Sequence, residues 1–168
     1  RNHGGYVPAR GRRRLGRHAY TPRQRTCAAR GVAQHSRFQR KTKVKIKSIT
    51  SHMLRVPLGE KTFYSSQAAF PERNSYLVRI ETDTGLVGWG EGGQYGPAEP
   101  VAACVDAVFA PRLIGRDPTE PVRIWEELYA FSRDFGQRGT YVEAISAIDI
   151  ALWDISGQAA GLPVWKML

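Results

Sequence analysis

Acidic residues are missing from the first 43 positions of this 168-residue chain. Those positions carry 13 of its 25 lysines and arginines and none of its 15 aspartates and glutamates. The remaining 125 residues hold 12 basic and 15 acidic side chains, a net of −3, although the whole chain nets +10. A large positive charge on a folded surface points to nucleic acid. Here the charge belongs to the leader, and the rest lacks the interleaved basic and aromatic residues of a strand-binding groove. Cysteine is scarce too. Cys27 and Cys104 form neither a disulfide framework nor a CxxC or Cys/His zinc pattern, which points to a reducing, cytoplasmic setting. No apolar run approaches the roughly 20 residues of a membrane helix, and Asp149 and Asp154 interrupt the longest one. The chain is also too short to hold a (β/α)8 barrel, which alone takes about 250 residues.

Residues 1–43 contain Arg12-Arg13-Arg14, several Gly and Pro, and few large apolar side chains. Such a segment buries too little apolar surface to offset its ordering entropy, so disorder is expected. Three readings stay open: a basic arm on nucleic acid, an organelle transit peptide, or translated sequence upstream of a native start near Val44. The chain opens on Arg rather than Met.

From Val44 onward the pattern becomes regular. Val44 to Val56 alternates and is rich in β-branched residues, which predicts a strand ended by Pro57 and Gly59. A polar loop follows, from about Leu58 to Arg73. Ser75 to Thr82 predicts a second strand with Tyr76, Val78 and Ile80 on one face. Asp83-Thr84-Gly85 supplies a turn into a third strand, Leu86 to Glu91, so the two form an antiparallel hairpin. Gly88 and Gly90 bracket Trp89, which predicts close backbone packing or a bend.

The period then changes from two to about 3.6. Pro97 to Ile114 reads as a helix with Val101, Cys104, Val105, Val108 and Phe109 at helical spacing. Gly115-Arg116-Asp117-Pro118 breaks it. Thr119 is the expected N-cap of a second helix, with Pro121 in its first turn. Thr140 to Ala160 is the longest helix, stopped by Gly161 and Pro163. Strands followed by helices define an α+β fold: a three-stranded antiparallel sheet, then a helical bundle.

The last helix carries the sharpest pattern. Small residues at 144, 146, 147, 151 and 157 alternate with large apolar ones at 145, 148, 150, 152, 153 and 155. A helix apolar nearly all round is buried on more than one side. Asp149 and Asp154 are then interior or interfacial carboxylates. A five-residue separation sets them about 140° apart, so they do not converge on one ion and a structural pairing is the expectation.

The segment Ala144-x-Ser146-Ala147-Ile148-Asp149-x-Ala151-Leu152-x-Asp154-Ile155-x-Gly157-Gln158, with Pro163-Val164 and Met167-Leu168, resembles the N-terminal signature of the mandelate racemase/muconate lactonizing enzyme family of the enolase superfamily. Met167 stands where the family usually has Leu, a volume-conserving exchange. Thr84-Gly85-Leu-Val-Gly-Trp-Gly-Glu91 and Ile114-Gly115-Arg-Asp-Pro118 are similar to further family stretches. Arg133-Asp-Phe-Gly-Gln-Arg-Gly139 resembles the sugar-acid branch of galactarolactone cycloisomerases and acid-sugar dehydratases.

The resemblance implies an N-terminal capping domain over residues 44–168. In a complete family member it precedes a C-terminal barrel domain, absent from this chain, which would supply a Lys or His base and three acidic ligands for Mg²⁺. No catalytic or metal residue carries over to this segment. The capping loops, about Leu58–Arg73 and Gly92–Pro97, would shape specificity for a small-molecule carboxylate, a sugar acid in the branch resembled. The candidate contacts are Phe63, Tyr64, Ser65, Arg73, Gln94 and Tyr95. The plain alternative is that these are ordinary exposed loop residues. Glu91 is expected to be a hydrogen-bonding residue at the hinge into the second loop, and His52 a surface or core histidine. The family implies a homo-oligomer, no membrane span, and a fragment inactive alone. Two other classes compete. A basic-armed nucleic-acid module conflicts with the net of −3. A stand-alone domain would expose the apolar last helix.

Overall fold

The computed structural model describes residues 43–93 and 96–168. The expected disorder of the leader, Cys27, and the loop residues Gln94 and Tyr95 all lie outside the described residues.

Five strands come first: β1 (Ile46–Pro57), β2 (Phe63–Tyr64), β3 (Ala69–Phe70), β4 (Glu72–Thr82) and β5 (Val87–Gly92). β1, β4 and β5 form one antiparallel sheet in the order β1-β4-β5, while β2 and β3 pair as a separate small hairpin. Tyr76, Val78 and Ile80 are fully buried on one face of β4, as their alternation predicts.

The helices are α1 (Glu99–Ala103), α2 (Ala110–Leu113), α3 (Pro121–Ser132) and α4 (Thr140–Ala160). A six-residue π-helical stretch, Cys104–Phe109, joins α1 to α2. Its cause is readable in the side chains. Val101, Val105, Phe109 and Leu113 recur every four residues and are all buried. In a plain α-helix each four-residue step drifts by about 40°. The wider π turns take up that drift and keep all four on the core.

Several boundaries differ from expectation for local reasons. β1 starts at Ile46, not Val44, because the Ile46 N–H donates to the Arg116 carbonyl while Gly115 N–H donates to Ile46. β4 reaches back to Glu72 because β1 runs on to Pro57 and supplies partners to that point. β5 begins at Val87, leaving Leu86 in the turn. Pro100 rather than Pro97 occupies the first turn of α1. Thr119 does not cap α3. Its hydroxyl donates to Asp117 Oδ1 at 2.6 Å, and Glu120 takes the cap position. α4 matches its expected limits, and Gly161 closes it at φ 66°, a left-handed conformation that glycine adopts without a Cβ clash. Within the expected loop 58–73 the structure forms the β2–β3 hairpin, where Phe63 and Phe70 stack at 4.8 Å.

α4 lies across the inner face of the sheet. Ala144, Ile145, Ala147, Ile148, Ala151, Leu152 and Ile155 are all buried, with Ala147, Ala151 and Ile155 against β5. The close approach needs glycine opposite. A Cβ on Gly88 would stand 2.6 Å from Ile155 Cγ1, and one on Gly90 would stand 2.8 Å from the Ala151 nitrogen. The pattern Gly-Trp-Gly and the small residues of α4 are two halves of one interface. Trp89 itself points outward, with its ring 5.4 Å from that of His52. His52 is half-buried on the sheet's outer face.

Candidate functional site

The end of the sheet where β1, β4 and β5 meet their loops carries a cavity of about 630 Å³. Its walls come from the base of both expected capping loops: Phe70, Pro71 and Asn74 on one side, Gly96, Pro97 and Glu99 on the other. Arg55, near the end of β1, completes it. Arg55 pairs with Glu99 in the first turn of α1, where a carboxylate also suits the helix dipole. Asn74 Nδ2 donates to the Gly96 carbonyl at 3.0 Å, tying the second loop to β4. The Asn74 Oδ1 atom is buried without a protein partner.

Arg55, Asn74 and Glu99 were not singled out in the sequence. Asparagine is disfavoured in strands, so Asn74 within β4 was the readable sign. Arg55 and Glu99 are 44 residues apart, and nothing local announces their pairing.

Four candidate contacts are described. Phe63 and Arg73 come together, with the guanidinium carbon 5.2 Å from the ring centroid, within cation–π range. Tyr64 is 73% exposed on the hairpin. Ser65 Oγ accepts the N–H groups of Gln67 and Ala68 at 3.2 and 3.1 Å, so this hydroxyl shapes the hairpin turn. None of the four lines the cavity; Phe63, Tyr64 and Ser65 stand on the hairpin beside it and Arg73 on β4.

Two of the other titratable candidates, Glu91 and Asp154, settle into pairings. Ser75 donates to Glu91 Oε1 at 2.5 Å across β4 and β5, next to the second loop. Trp89 N–H donates to Asp154 Oδ2 at 3.0 Å, so Asp154 faces β5. Asp149 instead lines a space with Trp125, Glu126 and Trp153. Burial pushes its carboxyl above the usual carboxylate range. The two aspartates diverge, as their spacing predicts. Among the described residues no group of three or more His, Cys, Asp or Glu is placed to hold a metal ion. The described residues do not make a Mg²⁺ site. Among the described residues no helix is long and apolar enough to cross a membrane.

In the core, Tyr76 hydroxyl and Ser51 Oγ lie 2.7 Å apart, and Ser51 donates to Asp106 Oδ1 at 2.7 Å. Burial, more than any other cause, pushes the Tyr76 phenol up to about 12. This chain of bonds ties β1, β4 and the π-helical stretch together and sits away from the cavity.

A three-stranded antiparallel sheet backed by helices, with two loops meeting over one end, is the architecture of an enolase-type N-terminal domain. The sequence agrees. The mandelate racemase/muconate lactonizing enzyme N-terminal domain matches residues 48–168, and the chain belongs to that family. It is 45% identical over 125 residues to the D-galactarolactone cycloisomerase of Agrobacterium fabrum, covering 74% of this chain and 32% of that enzyme. It is 37% identical over 91 residues to the arabinonate dehydratase of Saccharolobus solfataricus, covering 54% of this chain and 24% of that one. Among solved structures, the 3,6-anhydro-D-galactonate cycloisomerase of Zobellia galactanivorans superposes with a TM-score of 0.62 at 36% identity, over 73% of this chain and 31% of that one. An enolase-superfamily member from Agrobacterium tumefaciens gives a TM-score of 0.65 at 32% identity, over 73% and 37%. The chain thus spans about a third of the length of the A. fabrum relative.

Proposed function

We propose that residues 44–168 are the capping domain of a Mg²⁺-dependent isomerase or lyase that removes a proton beside the carboxylate of a sugar acid. The observation that carries this reading is the cavity shared by the two loop bases, on a chain 45% identical to a galactarolactone cycloisomerase. The capping loops close over the reacting centre and exclude water. Phe63, Tyr64, Ser65, Arg73, Gln94 and Tyr95 are the proposed specificity contacts. Aromatic rings pack on the sugar carbons, and the hydroxyl, amide and guanidinium groups suit hydroxyls and a carboxylate. Asn74 anchors the base of the second loop to β4, and the Arg55–Glu99 pair joins β1 to α1 beside it.

In this reading, proton abstraction and Mg²⁺ binding fall to the C-terminal barrel of the complete enzyme. Bound there, the ion would stabilise an enediolate. The complete enzyme would be a cytoplasmic homo-oligomer, and this chain alone is inactive.

The test is a chimera in which residues 44–168 replace the matching segment of the A. fabrum enzyme. The expected result is Mg²⁺-dependent turnover of D-galactarolactone or a related sugar acid, with none from the chain alone. A folded chimera with no turnover of any sugar acid, or turnover by the chain alone, overturns the reading.

A further inference from the structure

α3 and α4 leave an open groove between them. Two adjoining cavities of about 380 and 310 Å³ share Val122 and Trp153 and so form one depression. Its floor is mostly apolar, with Trp125 and Met167 adding to the shared pair. Asp149, Trp153 and Ser156 fall within about 60° of one another around α4. They form a strip away from the face that the sheet buries.

One group in this groove is chemically incomplete. Asp149 is half-buried, yet among the described residues it forms no ion pair and accepts no hydrogen bond; desolvation alone perturbs it. The nearby cation cannot serve it, since Arg123 is already held by Glu120 and Glu127 at 3.2 and 2.9 Å. Glu126, also on the wall, adds negative charge rather than relieving it. A partly desolvated carboxylate without a protein partner carries a cost that an arriving cation relieves. Two indoles beside it favour a planar cation over a compact ammonium.

We propose that the α3–α4 groove is an interdomain seat. An arginine carried on an apolar segment of the remaining two thirds of the complete enzyme enters it and pairs with Asp149. This rests on the capping reading of the chain. It adds which face turns toward the rest of the enzyme and which residue fixes the dock. In the lone domain the unpaired Asp149 carboxylate is a cost. The same carboxylate stabilises the assembled protein.

The experiment compares Asp149→Asn in two settings: the 168-residue chain, and the chimera joined to the remainder of the A. fabrum enzyme. In the chain alone, the variant's melting temperature is expected to stay level or rise. In the chimera, it is expected to fall by about 4 °C or more, with the cap unfolding in a separate earlier step. Equal shifts in both settings, or none in the chimera, overturn the seat. Should the wild-type chain sediment as a dimer that Asp149→Asn dissociates, the occupant is a second copy and the proposal fails. Turnover is scored separately. A chimera that melts in one step and responds to Asp149→Asn yet turns over no sugar acid sinks the enzymatic reading and leaves the seat standing.

Discussion

Gly90 of β5 lies against Ala147 of α4 so closely that a Cβ on Gly90 would run into the Ala147 carbonyl oxygen. No rotamer relieves that clash, because the backbone fixes the position of a Cβ and the oxygen it meets is itself backbone. The sheet and its covering helix are therefore locked at a separation that only glycine permits.

Gly90→Ala is expected to lower unfolding stability by about 2–3 kcal/mol, the upper part of the overpacking range. Gly93→Ala, where a Cβ meets nothing within 4 Å, is expected to stay within about 0.5 kcal/mol of the parent. Urea titration of both variants checks the pair. Equal losses would mean that the close approach is not what holds the sheet to α4.

Asp154 accepts the Trp89 N–H. Removing that acceptor leaves an amide of β5 unpaired, at a cost of about 1–2 kcal/mol in Asp154→Ala. Asp154→Asn keeps an acceptor oxygen and should lose less. Denaturant midpoints for the two variants distinguish a hydrogen-bonding role from a purely electrostatic one, in which Asn would be as harmful as Ala.

Tyr76 gives the domain an alkaline limit. Its folded value, near 12, lies above the ordinary 10, so the folded state holds the phenolic proton that the unfolded state releases. Its contribution is complete below pH 10 and is lost as the pH rises toward 12. Tyr76→Phe should flatten that alkaline decline while weakening the domain at neutral pH through loss of the Ser51 bond. Melting temperatures across the alkaline range, read beside phenolate absorbance, test both halves.

Asp149 works in the acidic direction. Its folded value is raised above 3.8 by burial, so its protonated form favours folding. The contribution is present below 3.8 and lost as the pH rises through the folded value. In the isolated chain, Asp149→Asn should equal the parent at low pH and surpass it at neutral pH. A difference that is flat with pH would show that the carboxyl is not desolvated.

Arg73 stands over Phe63 on the hairpin. In the chimera with the A. fabrum remainder, Arg73→Ala is expected to lower kcat/KM for sugar acids about tenfold, mainly through KM, in line with loss of one charge-assisted hydrogen bond. Ser65→Ala should act differently. Ser65 organises the turn that carries Tyr64, so hydrogen exchange in the hairpin should rise alongside any kinetic change.

Much of the fold was readable because its signals are local. Alternation in β4, the Asp83-Thr84-Gly85 turn and the Gly161 stop each depend on a few neighbouring residues. The fifteen-residue helical run from Glu99 was readable as a helix, but its π-helical centre was not. That stretch answers to four side chains meeting a surface, which no propensity records. The same holds for Thr119, whose hydroxyl donates to Asp117 Oδ1 while Glu120 takes the cap position.

The site divides along the same line. Sequence alone determined that two loops flank the sheet, that Gly88 and Gly90 mark close backbone packing or a bend, and that Asp149 and Asp154 diverge. These follow from chain periodicity and side-chain size. Only the tertiary structure decided that Asn74 ties the second loop to β4 and that Arg55 of β1 pairs with Glu99 of α1, that Ser65 is engaged by its own turn, and that Asp154 finds a backbone partner while, among the described residues, Asp149 finds none. Those outcomes depend on which groups from distant segments arrive within about 3 Å of one another, a distance set by packing and not by order along the chain.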